Sequence, residues 1–285
     1  MNIRLSAFAD EAATDYGTQL KVLREERIPY IELRGLDGRN IAELHEDQAR
    51  KYAEQTREAG IKVWAIGSPL GKIGIGDDFD AHLHTAEHIF RLAEIFGTDK
   101  VRVFSFYTQT PEADREEVMR RMRELLRLAD RCGVTLYHEN EKEIYGDTAE
   151  RCADLLDCNP GLQSVFDPAN YVQCNADVSE ALRLLRFRTG YYHIKDARYS
   201  DGEVVPAGEG DGRLAEILEG LTGDTVLTLE PHLTVFEGYS KLERSARKMQ
   251  YKYGTAREAF AVAAEALRGV LKMCSFKEEN GRWKR

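Results

Sequence analysis

No stretch of this 285-residue sequence stays apolar over the roughly 18 to 20 residues that a membrane helix needs, and its mean hydropathy is −0.49. A membrane-spanning protein is therefore not expected. Met1-Asn2-Ile3-Arg4-Leu5 does not open a basic region followed by a long apolar core, the mark of a secretory signal, so a cytoplasmic location is the expectation. Five scattered cysteines (Cys132, Cys152, Cys158, Cys174 and Cys274) include no CxxC pair, and an odd number argues against a disulfide framework. They read as reduced core thiols. An excess of positive charge is also missing: 40 basic side chains stand against 49 acidic ones, for a net charge of −9. That balance disfavours nucleic acid and anionic lipid as partners and leaves a small neutral or metal-chelated ligand. Finally, no linker rich in proline, serine and glycine interrupts the chain.

What is present is a repeat. Eight β-rich runs, Ile3 to Phe8, Tyr30 to Leu33, Lys62 to Ile66, Val101 to Phe104, Val134 to His138, Gln163 to Phe166, Tyr191 to Ile194 and Thr225 to Leu229, alternate with amphipathic helical stretches. In Ala113 to Arg131, for example, Val118, Met122, Leu125, Leu126 and Ala129 recur at helical spacing while Arg and Glu fill the opposite face. Gly60, Gly133 and Gly190 each precede a strand and read as helix C-caps. Eight such units predict a (β/α)₈ barrel, for which about 250 residues is typical. A doubly wound sheet would carry a glycine fingerprint after its first strand, and Ser6-Ala-Phe-Ala-Asp-Glu11 has none. One domain over 1–285 is expected, with a short helical, basic tail at about 270–285.

Barrel chemistry gathers at the C-terminal ends of the strands. There the last four strands carry Glu139, Asp167, His193 and Glu230. One such carboxylate alone could simply cap the helix that follows; four in register around half a barrel point to one centre. Three carboxylates and an imidazole suit one divalent ion, Mn²⁺ first, with Mg²⁺, Co²⁺ or Zn²⁺ as alternatives.

These motifs, Ser6-Ala-Phe-Ala-Asp-Glu11, His138-Glu-Asn140, Phe166-Asp-Pro-Ala-Asn170, His193-Ile-Lys-Asp-Ala197 and Leu229-Glu-Pro231, resemble the sugar isomerase/epimerase family with xylose isomerase-like barrels, the superfamily that also holds inosose dehydratases and apurinic endonuclease IV. The resemblance spans nearly the whole chain. It implies that Glu139, Asp167, His193 and Glu230 ligate one ion, and it leaves room for a homo-oligomer, since members of the family often form dimers or tetramers. Two departures matter. Ketose 3-epimerases commonly place a histidine three residues after the Asp, where this sequence has Asn170, an amide that does not titrate near neutral pH. The endonuclease branch uses further histidines at strands three and four and an Asp-x-His pair after strand seven. Here those places read Ile66-Gly-Ser68, Phe104-Ser105 and Ser200-Asp-Gly-Glu-Val-Val205, which puts abasic-DNA cleavage last.

Such a site would chelate a carbonyl and its neighbouring hydroxyl and stabilise the charge left when a proton leaves the adjacent carbon. Glu139 and Glu230, with free oxygens on two sides of the sugar, would act as base and acid. The first expectation is a metal-dependent isomerase or epimerase of a sugar or sugar phosphate. The alternative is a dehydratase or lyase of inosose or 3-keto-sugar conjugates, C-glycoside cleavage included; a silent sugar-binding barrel is a third. Lys195 and Arg198 either neutralise an enolate or are solvated loop cations. Asn170 either binds a hydroxyl or caps a helix. Trp64 either stacks on a pyranose or packs in the barrel. Within Gly208-Glu-Gly-Asp-Gly212, either Glu209 reaches the substrate or the glycines cradle a phosphate at the helix N-terminus.

Three further signals read as structure. His84-Thr-Ala-Glu-His88 matches a zinc-protease pattern but falls on the third helix, away from the strand ends. The arginines between Arg115 and Arg131 are interleaved with glutamates, and Glu116–Arg120 and Glu117–Arg121 are expected as i,i+4 pairs on a solvated face. Gly71-Lys-Ile-Gly-Ile-Gly76 lacks the Walker spacing and reads as a loop at the barrel mouth.

Overall fold

The computed structural model describes residues 1–234, 253–279 and 281–285. Asn2–Ala7 (β1), Tyr30–Leu33 (β2), Lys62–Gly67 (β3), Lys100–Val103 (β4), Thr135–Glu139 (β5), Gln163–Phe166 (β6), Thr189–Ile194 (β7) and Thr225–Leu229 (β8) reproduce the expected strands with ends shifted by at most two residues. Parallel ladders run from β2 through β3 to β8 and on to β1, as a (β/α)₈ barrel requires.

Helices Tyr16–Glu25 (α1), Glu46–Glu58 (α2), Phe79–Phe96 (α3), Pro111–Arg131 (α4), Ala149–Cys158 (α5), Pro168–Gln173 (α6), Val178–Leu185 (α7), Leu214–Glu219 (α8) and Ala256–Met273 (α9) follow the strands. Their starts and stops are local. In α3 the Asp78 carboxylate accepts from the Ala81 N–H, and Gly97 at φ 73° ends the helix. Pro111 opens α4, where its missing N–H costs nothing. Val118, Met122, Leu125 and Ala129 are buried as their spacing predicts.

Strand residues alternate between two cores. The outward residues pack under the helices. The inward ones build a small separate cluster near the N-terminal ends, Ala65, Val165, Tyr191 and Val226 with Trp64 and Tyr137. Two residues further along the same strands, the interior turns polar: Tyr137 gives way to Glu139, Val165 to Asp167, Tyr191 to His193 and Val226 to Thr228, then Glu230.

Two expectations are corrected. Gly190 is not a helix cap but lies within β7, at an irregularity where Ser164 and Val165 pair with Thr189 and Tyr191. A Cβ there would lie 2.3 Å from Tyr137 Cε1, so the site needs glycine for room. The expected basic helical tail is helical only to Met273; Lys277–Glu279 (β9) and Arg282–Lys284 (β10) form a hairpin whose second strand pairs antiparallel with β1 through Asn2 and Ile3. Among the described residues no ladder joins β1 to β2, and Trp283 of the hairpin, 3% exposed, packs into the core beside β1.

Candidate metal centre

At the C-terminal ends of β5 to β8 the four expected residues come together. Glu139, Asp167, His193 and Glu230 are all buried, and each offers a ligand atom within 4.8 Å of the other three. Bonds of roughly 2.0–2.2 Å to a single ion separate ligand atoms by at most about 4.4 Å, so the cluster is close to that size without rearrangement.

Each of the four has one polar atom tied off by the chain and one left for the cluster. Glu139 Oε2 accepts from Arg102 Nη1 at 2.9 Å, while Oε1 lies 2.9 Å from His193 Nδ1. Glu230 Oε1 accepts from Arg34 Nη1 at 3.0 Å, while Oε2 lies 3.3 Å from His193 Nδ1. Asp167 Oδ1 accepts the N–H of Asn170 and caps α6. Its Oδ2 is buried, with the Lys195 ammonium as its ion-pair partner at 2.9 Å. His193 Nε2 lies 3.2 Å from Glu32 Oε2. A carboxylate behind an imidazole is the usual orienting partner of a ligating histidine. Three carboxylate oxygens and one imidazole nitrogen, buried together, fit a divalent cation.

The electrostatics are uneven. Burial pushes the Glu139 carboxyl up, but His193 and Arg102 outweigh it and hold it below the usual carboxylate range. Glu230 is held down against the same burial by Lys195, His232 and His193. Asp167 is raised by burial, which Lys195 does not offset, and Glu230 and Glu139 add to the rise. For Lys195 burial works against the charge, yet Asp167, Glu230 and Glu139 keep it protonated.

The remaining expected residues divide. Lys195, 6% exposed, belongs to the cluster, with Nζ 3.4 Å from Glu230 Oε2. Asn170 is also there, but its amide donates to Asn140 O at 2.8 Å and reaches Glu139 Oε1 at 3.5 Å, so it braces β5 against α6. The capping residue of α6 is Asp167. Arg198 instead pairs with Glu203 of its own loop at 3.1 Å. Trp64 sits in the apolar layer at the opposite end of the barrel, edge-on to Tyr191 and Tyr30, because it falls at an irregularity of β3 well before the strand's C-terminal end. Glu209 is exposed. The glycines around it do cradle an anion, but the chain's own: Gly208, Gly210 and Gly212 N–H all donate to the buried Asp196 carboxylate at 2.8 to 3.1 Å. A Cβ at Gly210 or Gly212 would lie 2.4 or 2.7 Å from Asp196 Oδ1.

The signals read as structure are structural. Of the two histidines in the zinc-protease pattern, His84 is exposed and His88 Nε2 lies 2.8 Å from Leu44 O, and among the described residues neither belongs to a group with metal-like spacing; the buried His82 beside them accepts the Gly71 N–H at 2.9 Å. Arg121 pairs with Glu117 as expected but is buried, reaching the carbonyls of Gly74, Ile75 and Asp77. Arg120 pairs with Glu117 and Glu124 rather than Glu116. A trio of Glu11, Glu230 and His232 also has metal-like spacing. Its cation is already supplied, since Arg34 lies 2.9 Å from Glu11 and 3.0 Å from Glu230.

Sequence reasoning missed Glu32, Arg34 and Arg102, all buried. A signal existed: Glu32 in Tyr30-Ile-Glu-Leu33 and Arg102 in Lys100-Val-Arg-Val103 are charges inside strands that a barrel buries on both faces, where apolar runs are the rule.

Comparison with known proteins follows the same lines. A family model described as xylose isomerase-like TIM barrel matches residues 22–268. No curated protein matches the chain. Among solved structures, a probable 3-DHS dehydratase, AsbF of Bacillus anthracis, is 18% identical with a TM-score of 0.71, covering 93% of this chain and 98% of that one. An IOLI protein with a bound zinc atom is 17% identical (TM-score 0.72; 95% and 98%). A D-psicose 3-epimerase determined in the presence of D-fructose is 14% identical (TM-score 0.69; 93% and 97%).

Proposed function

Because the chain belongs to the xylose isomerase-like TIM barrel family, we infer that Glu139, Asp167, His193 and Glu230 hold one divalent ion and that the site isomerises or epimerises a sugar or sugar phosphate. The observation that carries this is the convergence of four buried ligand atoms, one each from Glu139, Asp167, His193 and Glu230, within 4.8 Å of one another. Mn²⁺ fits the carboxylate-rich set best. When bound, the ion withdraws charge from a chelated carbonyl and so acidifies the neighbouring C–H.

The protein supplies the rest. Glu139 Oε1 and Glu230 Oε2 approach the centre from two strands, on either side of His193 Nδ1. One takes the proton from the carbon beside the carbonyl and the other returns one. In each glutamate the oxygen facing the centre is the one that would ligate the ion, so proton transfer falls to the other oxygen, which accepts from an arginine. The Lys195 ammonium, between Asp167 and Glu230, is placed to hydrogen-bond the substrate oxygen on which negative charge develops. Return of the proton to the same carbon from the other face epimerises; return to the neighbouring carbon isomerises.

A dehydratase or lyase of inosose or 3-keto-sugar conjugates is the second reading. Asn170 favours it, since the amide there is committed to Asn140 and supplies no titrating group for a reversible proton return. Deuterium wash-in followed by NMR across free, phosphorylated and 3-keto sugars with Mn²⁺ tests both. Exchange beside the carbonyl with conserved mass supports the first; exchange with loss of water or aglycone supports the second. Full exchange by Glu139→Gln and Glu230→Gln proteins would reject the two-glutamate mechanism.

A further inference from the structure

Arg34 and Arg102 enter the barrel from β2 and β4, on the half that carries none of the four clustered residues, yet each ends on one of the two glutamates. Arg102 Nη1 donates to Glu139 Oε2 at 2.9 Å, and its Nη2 donates to Ser68 O at 3.2 Å. Arg34 Nη1 donates to Glu230 Oε1 at 3.0 Å, while its Nε and Nη2 are held by Asp10 and Glu11 at 2.9 to 3.0 Å. Both guanidinium groups are buried, and the Phe8 ring stands between them, 4.2 Å from Arg34 Cζ and 5.4 Å from Arg102 Cζ, with its edge toward His193. Gly67 makes the room: a Cβ there would lie 2.6 Å from Phe8 Cε1. The two arginines are thus fixed by the barrel independently of the glutamates they hold.

We propose that Arg34 and Arg102 are positioning residues that restrict Glu139 and Glu230 to one donor oxygen each, so that the ion keeps room for two substrate oxygens. This rests on the metal-centre reading above. A glutamate freed from its arginine has a second oxygen to offer, and a carboxylate binding through both oxygens takes a place that a chelating substrate needs. Loss of the arginine also removes a buried positive charge close to the carboxylates. Both effects act in the same direction, toward tighter binding of the ion and poorer binding of the substrate. A purely structural role for the arginine gives the opposite sign, since a disordered Glu139 holds an ion less well.

The experiment is a titration of Mn²⁺ into wild type, Arg102→Met, Arg102→Gln and Arg102→Lys near pH 8, by chelator competition, with visible spectra of the same proteins loaded with Co²⁺. The expected result is binding tighter by on the order of tenfold in the Met and Gln proteins and near wild type in the Lys protein, which restores charge and one donor. Weaker Co²⁺ absorption in the neutral variants would accompany it, marking a higher coordination number. The Gln variant retains a hydrogen-bond donor and keeps the test open if the Met variant does not fold. Equal or weaker Mn²⁺ binding in the neutral variants overturns the proposal while leaving the metal centre intact. A wild-type chain that binds no ion overturns both.

Discussion

His193 Nε2 lies 3.2 Å from Glu32 Oε2, and Glu32 Oε1 in turn accepts from the Tyr191 hydroxyl at 2.8 Å. That contact orients the ring so that Nδ1 faces Glu139 and Glu230, and with a proton held on Nε2 it is Nδ1 that would give up its own proton to ligate an ion. Glu32→Ala is expected to weaken divalent-ion affinity by roughly 10- to 100-fold, the usual cost of losing such a partner. Calorimetric titration of Mn²⁺ checks it, and an unchanged affinity would reject the orienting role.

His82 gives a pH dependence of stability. Burial, with Arg121 nearby, lowers it from its ordinary value of 6.5 to about 4, and its neutral ring accepts the Gly71 N–H. Between those values the unfolded chain binds the extra proton. The contribution is therefore complete above pH 6.5 and is lost as pH falls toward 4. At about pH 5 the loss should be about 2 kcal/mol. Urea unfolding of wild type and His82→Gln at about pH 7.5 and 5 measures it: the variant should show a smaller fall by that amount.

Two left-handed glycines should behave differently on substitution. Gly71, φ 86°, passes so close to Phe104 that a Cβ would lie 1.9 Å from its carbonyl oxygen; Gly60, φ 72°, has nothing within 4 Å. Gly60→Ala should cost roughly 1–2 kcal/mol, the conformational penalty alone. Gly71→Ala should cost about 3 kcal/mol or more, since backbone must also move. Similar unfolding midpoints for the two variants would contradict the close approach.

Trp283 tests the closure of the barrel. It is 3% exposed, in the strand that pairs with Asn2 and Ile3 where, among the described residues, β1 has no ladder to β2. Trp283→Ala is expected to lower unfolding free energy by about 3–5 kcal/mol. A loss under about 0.5 kcal/mol, the scale of an ordinary surface change, would mean that the hairpin is an appendage.

The strands and the four clustered residues were legible because each signal is local: an apolar run ending in Glu139, Asp167, His193 or Glu230, repeated until only a barrel accommodates the count. Glu32, Arg34 and Arg102 were harder to find because their role depends on partners 37 to 196 residues away in sequence, and a charge in a strand resembles a solvent-facing one until the inward register is known. For Trp64 the sequence leaves sugar stacking and barrel packing both open, for a related reason. One residue's slip at an irregularity of β3 moves a side chain between layers. Gly190 failed as a helix cap because close packing against Tyr137, not backbone conformation, selects the glycine.

Asp196 occupies the place where many barrels keep a phosphate. Its carboxylate takes up three glycine N–H groups that would otherwise wait for a ligand. The loop after β7 therefore acquires its shape when the chain folds rather than when substrate arrives, and an anion in solution meets a cradle with a permanent tenant. Lys195, the neighbouring residue, inherits that fixed geometry, so its ammonium stands at the metal centre before any sugar enters.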